Sequence, residues 1–150
     1  MREGTRDVAD RLRGAGLRVT AVRLTVLQVV ADLPHADVET VLGAVEQRLG
    51  GASRQAIYDS LRALSEANLV RRIEPAGGPA RYEARVGDNH HHVVCRVCGA
   101  ARDVDCAVGA APCLEPSQSH GYLLDEAEVT FWGVCPQCQS HSSEPGKGTP

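Results

Sequence analysis

The sequence predicts an α+β fold in two small modules, helical first and built of short strands after. Three observations predict it. Three capped helical patterns fill most of the first 68 residues and are followed by a hairpin pattern. From His90 the periodicity changes to short apolar runs broken by turn residues. Two Cys-x-x-Cys motifs, Cys95-Arg-Val-Cys98 and Cys135-Pro-Gln-Cys138, bracket that second stretch.

The first module is expected over residues 1–86. A short helix passes through Val8, Ala9 and Leu12. Thr20 is an N-cap for a densely apolar helix, Val22 to Val30, that stops before Pro34. Asp37 caps the next, with Val38, Val41, Leu42, Val45 and Leu49 at helical spacing and Gly50-Gly51 as the stop. Ser53 caps the third, where Ile57, Leu61 and Leu64 form a narrow stripe that leaves Arg54, Gln55, Tyr58 and Arg62 toward solvent. LVRRIE, the breaker PAGGP and ARYEAR then read as two strands and their turn. Helix, turn, helix and hairpin is the order of a winged helix-turn-helix; an α+β domain with no nucleic-acid role shares it.

The second module is expected over 87–138, with HHVVC, ARDVDC and YLLDEAEVTFWGVC as its strands. Residues 139–150 hold only polar, Gly and Pro residues and read as a disordered tail. The net charge of −3 divides along the chain: residues 1–86 carry 13 Arg against 11 Asp or Glu, net +2, and residues 87–150 carry 3 Lys or Arg against 8 Asp or Glu, net −5. Clustered arginines in the first half suit a basic face, and the acidic second half suits cation binding or dimerisation. No run reaches the ~18 apolar residues of a membrane span, and the charged N-terminus has no secretory apolar core, so a cytoplasmic, reducing location is expected.

In that setting paired cysteines at short spacing bind metal or do redox chemistry more often than they form disulfides. Two knuckles with 36 residues between them supply four thiolates, the set that suits a closed tetrahedral Zn²⁺. A closed site leaves no position for substrate, so its role is to fold the module. The second constellation is Asn89-His90-His91-His92 with Asp103 and Asp105. On a strand His90 and His92 share a face, and Asp103 with Asp105 share one on a neighbouring strand, so nitrogen and carboxylate oxygen converge as they do around Fe²⁺, Mn²⁺ or Zn²⁺. A solvent-exposed polar tract is the other reading of three consecutive histidines.

GLRVTAVRLTVL, PHAD, SRQAIYDSLRALSEANLV, ARYEARVGDNHHHVVCRVCG and GVCPQC, in this order and spacing, resemble the ferric-uptake-regulator (Fur) family from about residue 8 to 138. VDCAVGAAPC is similar to the actinobacterial branch that represses catalase-peroxidase genes. The resemblance implies a homodimer with an N-terminal winged helix-turn-helix domain, a small α/β dimerisation domain, one structural Zn²⁺ per subunit on Cys95, Cys98, Cys135 and Cys138, and one regulatory metal per subunit, Fe²⁺ or else Mn²⁺ or Zn²⁺, on His35, Glu83, His90, His92 and Asp103. It places Ser53–Asn68 in the major groove of double-stranded operator DNA. Arg54, Gln55 and Tyr58 then reach bases or nearby phosphates, Arg18 or Arg23 grips backbone, and Arg71, Arg72 and Arg81 lie on the wing. Generic surface charge is the competing reading of these arginines. The family's additional metal site falls on Asn89, His91, Ala110 and Ala127, which depart from its ligand pattern, so that site is expected to be missing. Its Tyr-Arg pair reads Tyr58-Asp59, and Arg54 or Arg62 is expected to substitute.

The function expected is a metal-dependent repressor of oxidative-stress genes inactivated by peroxide, with Cys106 and Cys113 as a possible thiol sensor beside the metal route. The alternatives are an iron- or zinc-uptake repressor and, from another class, a zinc-dependent hydrolase. No HExxH or similar pattern supports the hydrolase, and no small-molecule substrate or membrane partner is expected.

Overall fold

In a computed structural model, residues 4–75, 78–88, 90–105, 116–124 and 127–141 are described. The chain divides into two compact units, Met1–Asp88 and Asn89–Pro150.

The first unit runs α1 (Thr5–Gly14), α2 (Ala21–Asp32), β1 (Ala36–Asp37), α3 (Val38–Leu49), α4 (Arg54–Glu66), β2 (Arg71–Ile73) and β3 (Arg81–Glu83). Each of the three central helices starts where its cap accepts a backbone N–H that the helix cannot pair. Thr20 Oγ1 accepts from Arg23 at 3.2 Å, Asp37 Oδ1 from Thr40 at 2.8 Å and Ser53 Oγ from Ala56 at 3.1 Å. α3 ends at Gly50, whose φ of 62° is left-handed and returns the Gly50 N–H to the Glu46 carbonyl. Gly51 follows at φ 152°, also reserved for glycine, so two residues without Cβ atoms make the tight turn between α3 and α4.

The core is one cluster. Val8 and Leu12 of α1, Val26, Leu27, Val29 and Val30 of α2, Val41, Leu42 and Val45 of α3, and Ile57, Leu61 and Leu64 of α4 are all buried, with Val70 and Tyr82 closing it from the hairpin. Burial of each such aliphatic side chain is worth about 1.5–3 kcal/mol, so α1 is anchored chiefly by Val8 and Leu12. The sheet order is β1-β3-β2, antiparallel throughout, with Ala36 opposite Tyr82 and Arg72 opposite Tyr82 on the other side. Two α-helices joined by a glycine turn and followed by a hairpin make this a winged helix-turn-helix. The two-residue β1 has no strand pattern in the sequence; it forms because β3 offers an open edge to the chain leaving α2.

The second unit carries β4 (His90–Cys95), β5 (Ala101–Asp105), β6 (Thr130–Gly133) and α5 (Pro136–His141). β4 is central: β5 pairs with it antiparallel, and β6 pairs with it parallel, Val94 opposite Trp132. Two sequence expectations need correction. Among the described residues of YLLDEAEVTFWGVC only Thr130–Gly133 is strand; Tyr122, Leu123 and Leu124 are exposed at 74%, 100% and 59% and pair with no described strand. Gln139–His141 is not tail but the end of α5: Pro136 fits the first helical turn, the Gln139 N–H reaches the Cys135 carbonyl at 2.9 Å, and Ser140 Oγ donates to the Gln137 carbonyl at 2.7 Å. Residues 142–150 lie outside the described residues, as do Cys106 and Cys113.

Candidate functional site

The two cysteine knuckles meet. Cys95 ends β4 and Cys135 follows β6 and precedes α5, so the parallel pairing of those strands brings the motifs together although 40 positions separate Cys95 from Cys135. The four sulfurs of Cys95, Cys98, Cys135 and Cys138 all lie within 4.8 Å of one another. Cys98 Sγ and Cys135 Sγ are 3.7 Å apart. Four thiolates at about 2.3 Å from one tetrahedral ion stand about 3.8 Å apart, so the spacing is that of a tetrahedral edge. A disulfide needs ~2.05 Å, and none of the four cysteines is in one.

Backbone geometry prepares the thiolates. The Cys135 N–H donates to Cys95 Sγ at 3.3 Å, and hydrogen bonds from the backbone of Cys98 and Cys135 lower the Cys95 thiol to about 6. The hydrogen bond to the Cys135 side chain, then burial, push Cys138 up to about 12. Four thiols crowded together cannot all ionise alone, so a divalent cation binding there would displace protons from the cluster. Arg96, next to Cys95, lies over the Trp132 ring at 5.4 Å and donates its N–H to the Gly133 carbonyl at 2.8 Å, fixing the β4 side of the cluster to β6.

The histidine tract is not a solvent-exposed polar run. His90, His91 and His92 are 3%, 4% and 2% exposed. Register puts His92 opposite Asp103 and His90 opposite Asp105. Asp103 Oδ1 lies 3.7 Å from His90 Nε2 and 3.5 Å from His92 Nε2, so both rings turn the same nitrogen toward one oxygen. Donor atoms ~2.1 Å from a shared ion stand roughly 3.4 Å apart, close to both separations. Glu128 approaches the other face of His92, Oε1 4.0 Å from Nδ1. His91 points the opposite way: its Nδ1 accepts from the Val129 N–H at 3.3 Å, which ties β4 to the start of β6. Asp105, exposed, is farther along β5 than the oxygen both rings face.

In the first unit His35 and Glu83 form a second donor pair, His35 Nε2 3.2 Å from Glu83 Oε2, 7% and 1% exposed. His35 sits at φ 64°, a left-handed conformation that costs free energy for a residue with a Cβ. It is held there by its N–H on the Tyr82 carbonyl at 2.9 Å and by Arg81 Nη1 on its own carbonyl at 3.3 Å. The wing strand β3 thus carries Glu83 and also sets the backbone of its partner. Nothing in the sequence around Pro34-His35 announces this; the register of β1 on β3 creates it.

The arginines divide. Arg18 and Arg72 are exposed, and Arg23 Nη1 donates to the Arg18 carbonyl at 2.9 Å. On α4, Arg54, Gln55, Tyr58 and Arg62 are all exposed on one face. Arg54 grips Glu39 of α3 through two bonds, 2.8 and 3.5 Å, pinning the start of α4 to the first turn of α3. Arg62 pairs with Asp59 at 3.3 Å, and Arg72 with Glu74. The sequence reading left these side chains toward solvent and missed their carboxylate partners, which three- and four-residue spacing on the helix predicts for Asp59.

A winged helix-turn-helix followed by a unit that gathers thiolate and imidazole-carboxylate donors defines a metal-dependent transcriptional regulator. Residues 14–131 match the ferric uptake regulator family, and the chain belongs to it. It is 61% identical over 132 residues to the transcriptional regulator FurA of Mycobacterium tuberculosis, covering 88% of this chain and 90% of that one. It is 55% identical over 137 residues to ferric uptake regulation protein 2 of Mycolicibacterium fortuitum, covering 89% and 94%. Among solved structures it is similar to the ferric uptake regulator Fur of Helicobacter pylori, with three functional metal-binding sites, at TM-score 0.69 and 21% identity over 96% of this chain and 98% of that one. The family consists of regulators rather than enzymes. Among the described residues no helix is long and apolar enough to cross a membrane.

Proposed function

We propose that this protein is a homodimeric repressor whose hold on a pseudo-palindromic operator depends on a regulatory divalent metal. The observation that carries the reading is the convergence of two buried histidines, His90 and His92, on one oxygen of Asp103. A carboxylate pairs with a single buried imidazole without any metal, but two rings turning the same nitrogen toward one oxygen at these separations also match donors around a shared cation. With His35 and Glu83 they form the five-residue set that the family resemblance implies for one regulatory ion. Those residues come from both halves of the sequence; where the metal binds the DNA-competent arrangement more tightly than the other, metal and DNA strengthen each other's binding by the same factor. The tetrathiolate set holds one Zn²⁺ per subunit with a purely structural role, because four protein ligands leave no open position.

Residues 1–86 read DNA through α4 and the wing, and residues 87–138 dimerise. Fe²⁺ as corepressor, with Mn²⁺ or Zn²⁺ as stand-ins, suits the mixed N/O donor set. The expected targets are oxidative-stress genes of the catalase-peroxidase kind, with peroxide as the inactivating signal; bound Fe²⁺ would supply peroxide-reducing chemistry, and His35 or His90 would be the ligand oxidised. Control of iron uptake is the second reading, favoured by the name of the Mycolicibacterium relative. The test is a mobility shift on duplexes from the promoter region of the protein's own gene, with and without Mn²⁺, for wild type and His92→Ala. Metal-stimulated retardation lost in the variant supports the reading; equal retardation of both, with or without metal, refutes it.

A further inference from the structure

The exposed face of α4 carries a carboxylate where the phosphate backbone of a duplex must approach. Asp59 is flanked by Gln55 one turn before and Arg62 one turn after. Its Oδ1 accepts from Gln55 Nε2 at 3.0 Å and from Arg62 Nη2 at 3.3 Å. Both bonds fall on the same oxygen, and Oδ2 takes no part in them. The surroundings are solvated: the side chains of Arg62 and Asp59 are 71% and 51% exposed. Exposed pairs of this spacing contribute little to stability, so a helix that needed only phosphate affinity loses almost nothing by omitting the acid and gains an unscreened arginine.

A negative charge in this position opposes every duplex equally through the backbone and is offset only where a base edge offers a donor. In the major groove the exocyclic amino group of cytosine is the donor that a carboxylate accepts from, and a glutamine amide pairs with adenine. We propose that Asp59 is a specificity-determining residue: its Oδ2 accepts from a cytosine amino group in the operator half-site, its Oδ1 holds the Gln55 amide in position for the neighbouring base, and its charge rejects duplexes that offer no such donor. When DNA docks, Arg62 exchanges its weak, solvated bond to Asp59 for a phosphate. The proposal rests on the repressor reading given above and adds to it the base that α4 selects.

The test uses the full-length, zinc-loaded protein with Mn²⁺ and a randomised duplex library of roughly 30 base pairs, room for two half-sites one helical turn apart. Wild type, Asp59→Asn and Asp59→Ala are carried through the same selection, and their thermal melting is compared beforehand; a surface position predicts matching curves. The wild-type consensus should contain a G·C pair in each half-site whose replacement by A·T weakens binding roughly tenfold, a penalty that falls to under about threefold in Asp59→Ala. Binding of a shuffled duplex should tighten in both variants, with a steeper salt dependence as Arg62 gains a phosphate. If the variants select the same consensus with the same penalty at every position, Asp59 is a helix-surface charge and the proposal is overturned while the repressor reading stands. If wild type enriches no sequence with or without Mn²⁺, the repressor reading falls and takes this proposal with it.

Discussion

Asp37→Ala removes the side chain that starts α3, the first helix of the helix-turn-helix pair. The carboxylate accepts from the Thr40 N–H at 2.8 Å, and loss of an N-cap of this kind costs about 1 kcal/mol. Arg81, opposite Asp37 in the β1–β3 register, adds a charge attraction that solvent screening keeps to a few tenths of that. The hydrogen bonds to Thr40, and then Arg81, hold the Asp37 carboxyl below its ordinary 3.8. A depressed carboxyl stabilises the folded state fully above its unfolded value and loses that contribution as pH falls through the lower folded value. The deficit of Asp37→Ala is therefore present at pH 7 and shrinks below about pH 4. Ser53→Ala is the control: its hydroxyl caps α4 through Ala56 at 3.1 Å, costs a similar ~1 kcal/mol, and does not titrate. Urea unfolding followed by far-UV circular dichroism reads chiefly the first unit, since α1–α4 lie there and, among the described residues, only the six-residue α5 lies elsewhere. Trp132 fluorescence reads the second unit separately. Both variants should lower the helical midpoint at pH 7 by about 0.5–1 M urea. At pH 3 the Asp37→Ala gap should narrow while the Ser53→Ala gap persists. An Asp37→Ala gap that is the same at both pH values refutes the charge-assisted cap.

Cys138→Ser should leave the purified protein without its structural zinc and shift Trp132 emission toward that of the unfolded chain, while the helical signal is kept; full zinc by elemental analysis with an unchanged melt contradicts a folding role. His35→Ala and His92→Ala should fold, retain the tetrathiolate zinc, and each weaken Mn²⁺ binding at least tenfold by titration calorimetry; wild-type affinity in either removes that residue from the ligand set. Protein loaded with Fe²⁺ and treated with peroxide should lose DNA binding in a way that dithiothreitol does not restore, with one added oxygen on a peptide containing His35 or His90. Loss with Mn²⁺ as well, reversed by dithiothreitol and absent in Cys106→Ser, assigns sensing to the thiols instead.

Much of the first unit was legible because its signals are local. Thr20, Asp37 and Ser53 each precede an apolar stripe of helical period, and Gly50-Gly51 can be little but a stop, so caps and turn followed from neighbours within four residues. What escaped the sequence depends on pairing at a distance. β1 is two residues that become a strand only against β3, and the left-handed His35 follows from that register. α5 is polar on every face, with no buried residue to give it a period. The cysteine set was legible from spacing alone, since two knuckles have few other uses. For the histidine tract the sequence left burial and exposure equally open; the central position of β4 in its sheet decides it. The acidic partners of Arg54 and Arg62 divide the same way: Asp59 is a helical neighbour and readable, whereas Glu39 lies on α3 and meets Arg54 only once the glycine turn has folded.

The parallel pairing of β4 with β6 also sets an order of events in folding. β4 and β5 are joined by a short knuckle turn and can zip together locally, while β6 must be brought back from far along the chain before its first hydrogen bond forms. That closure costs entropy before any pairing repays it, so it is expected to be the slow step of the second unit. A metal taken up first by Cys95 and Cys98 and then by Cys135 and Cys138 would fasten the returning strand at its far end and let the ladder close from there toward His92. Refolding of this unit should accordingly be governed by zinc concentration, and a nascent chain short of zinc exposes the bare edge of β4 to its neighbours, where intermolecular strand pairing competes with the native one.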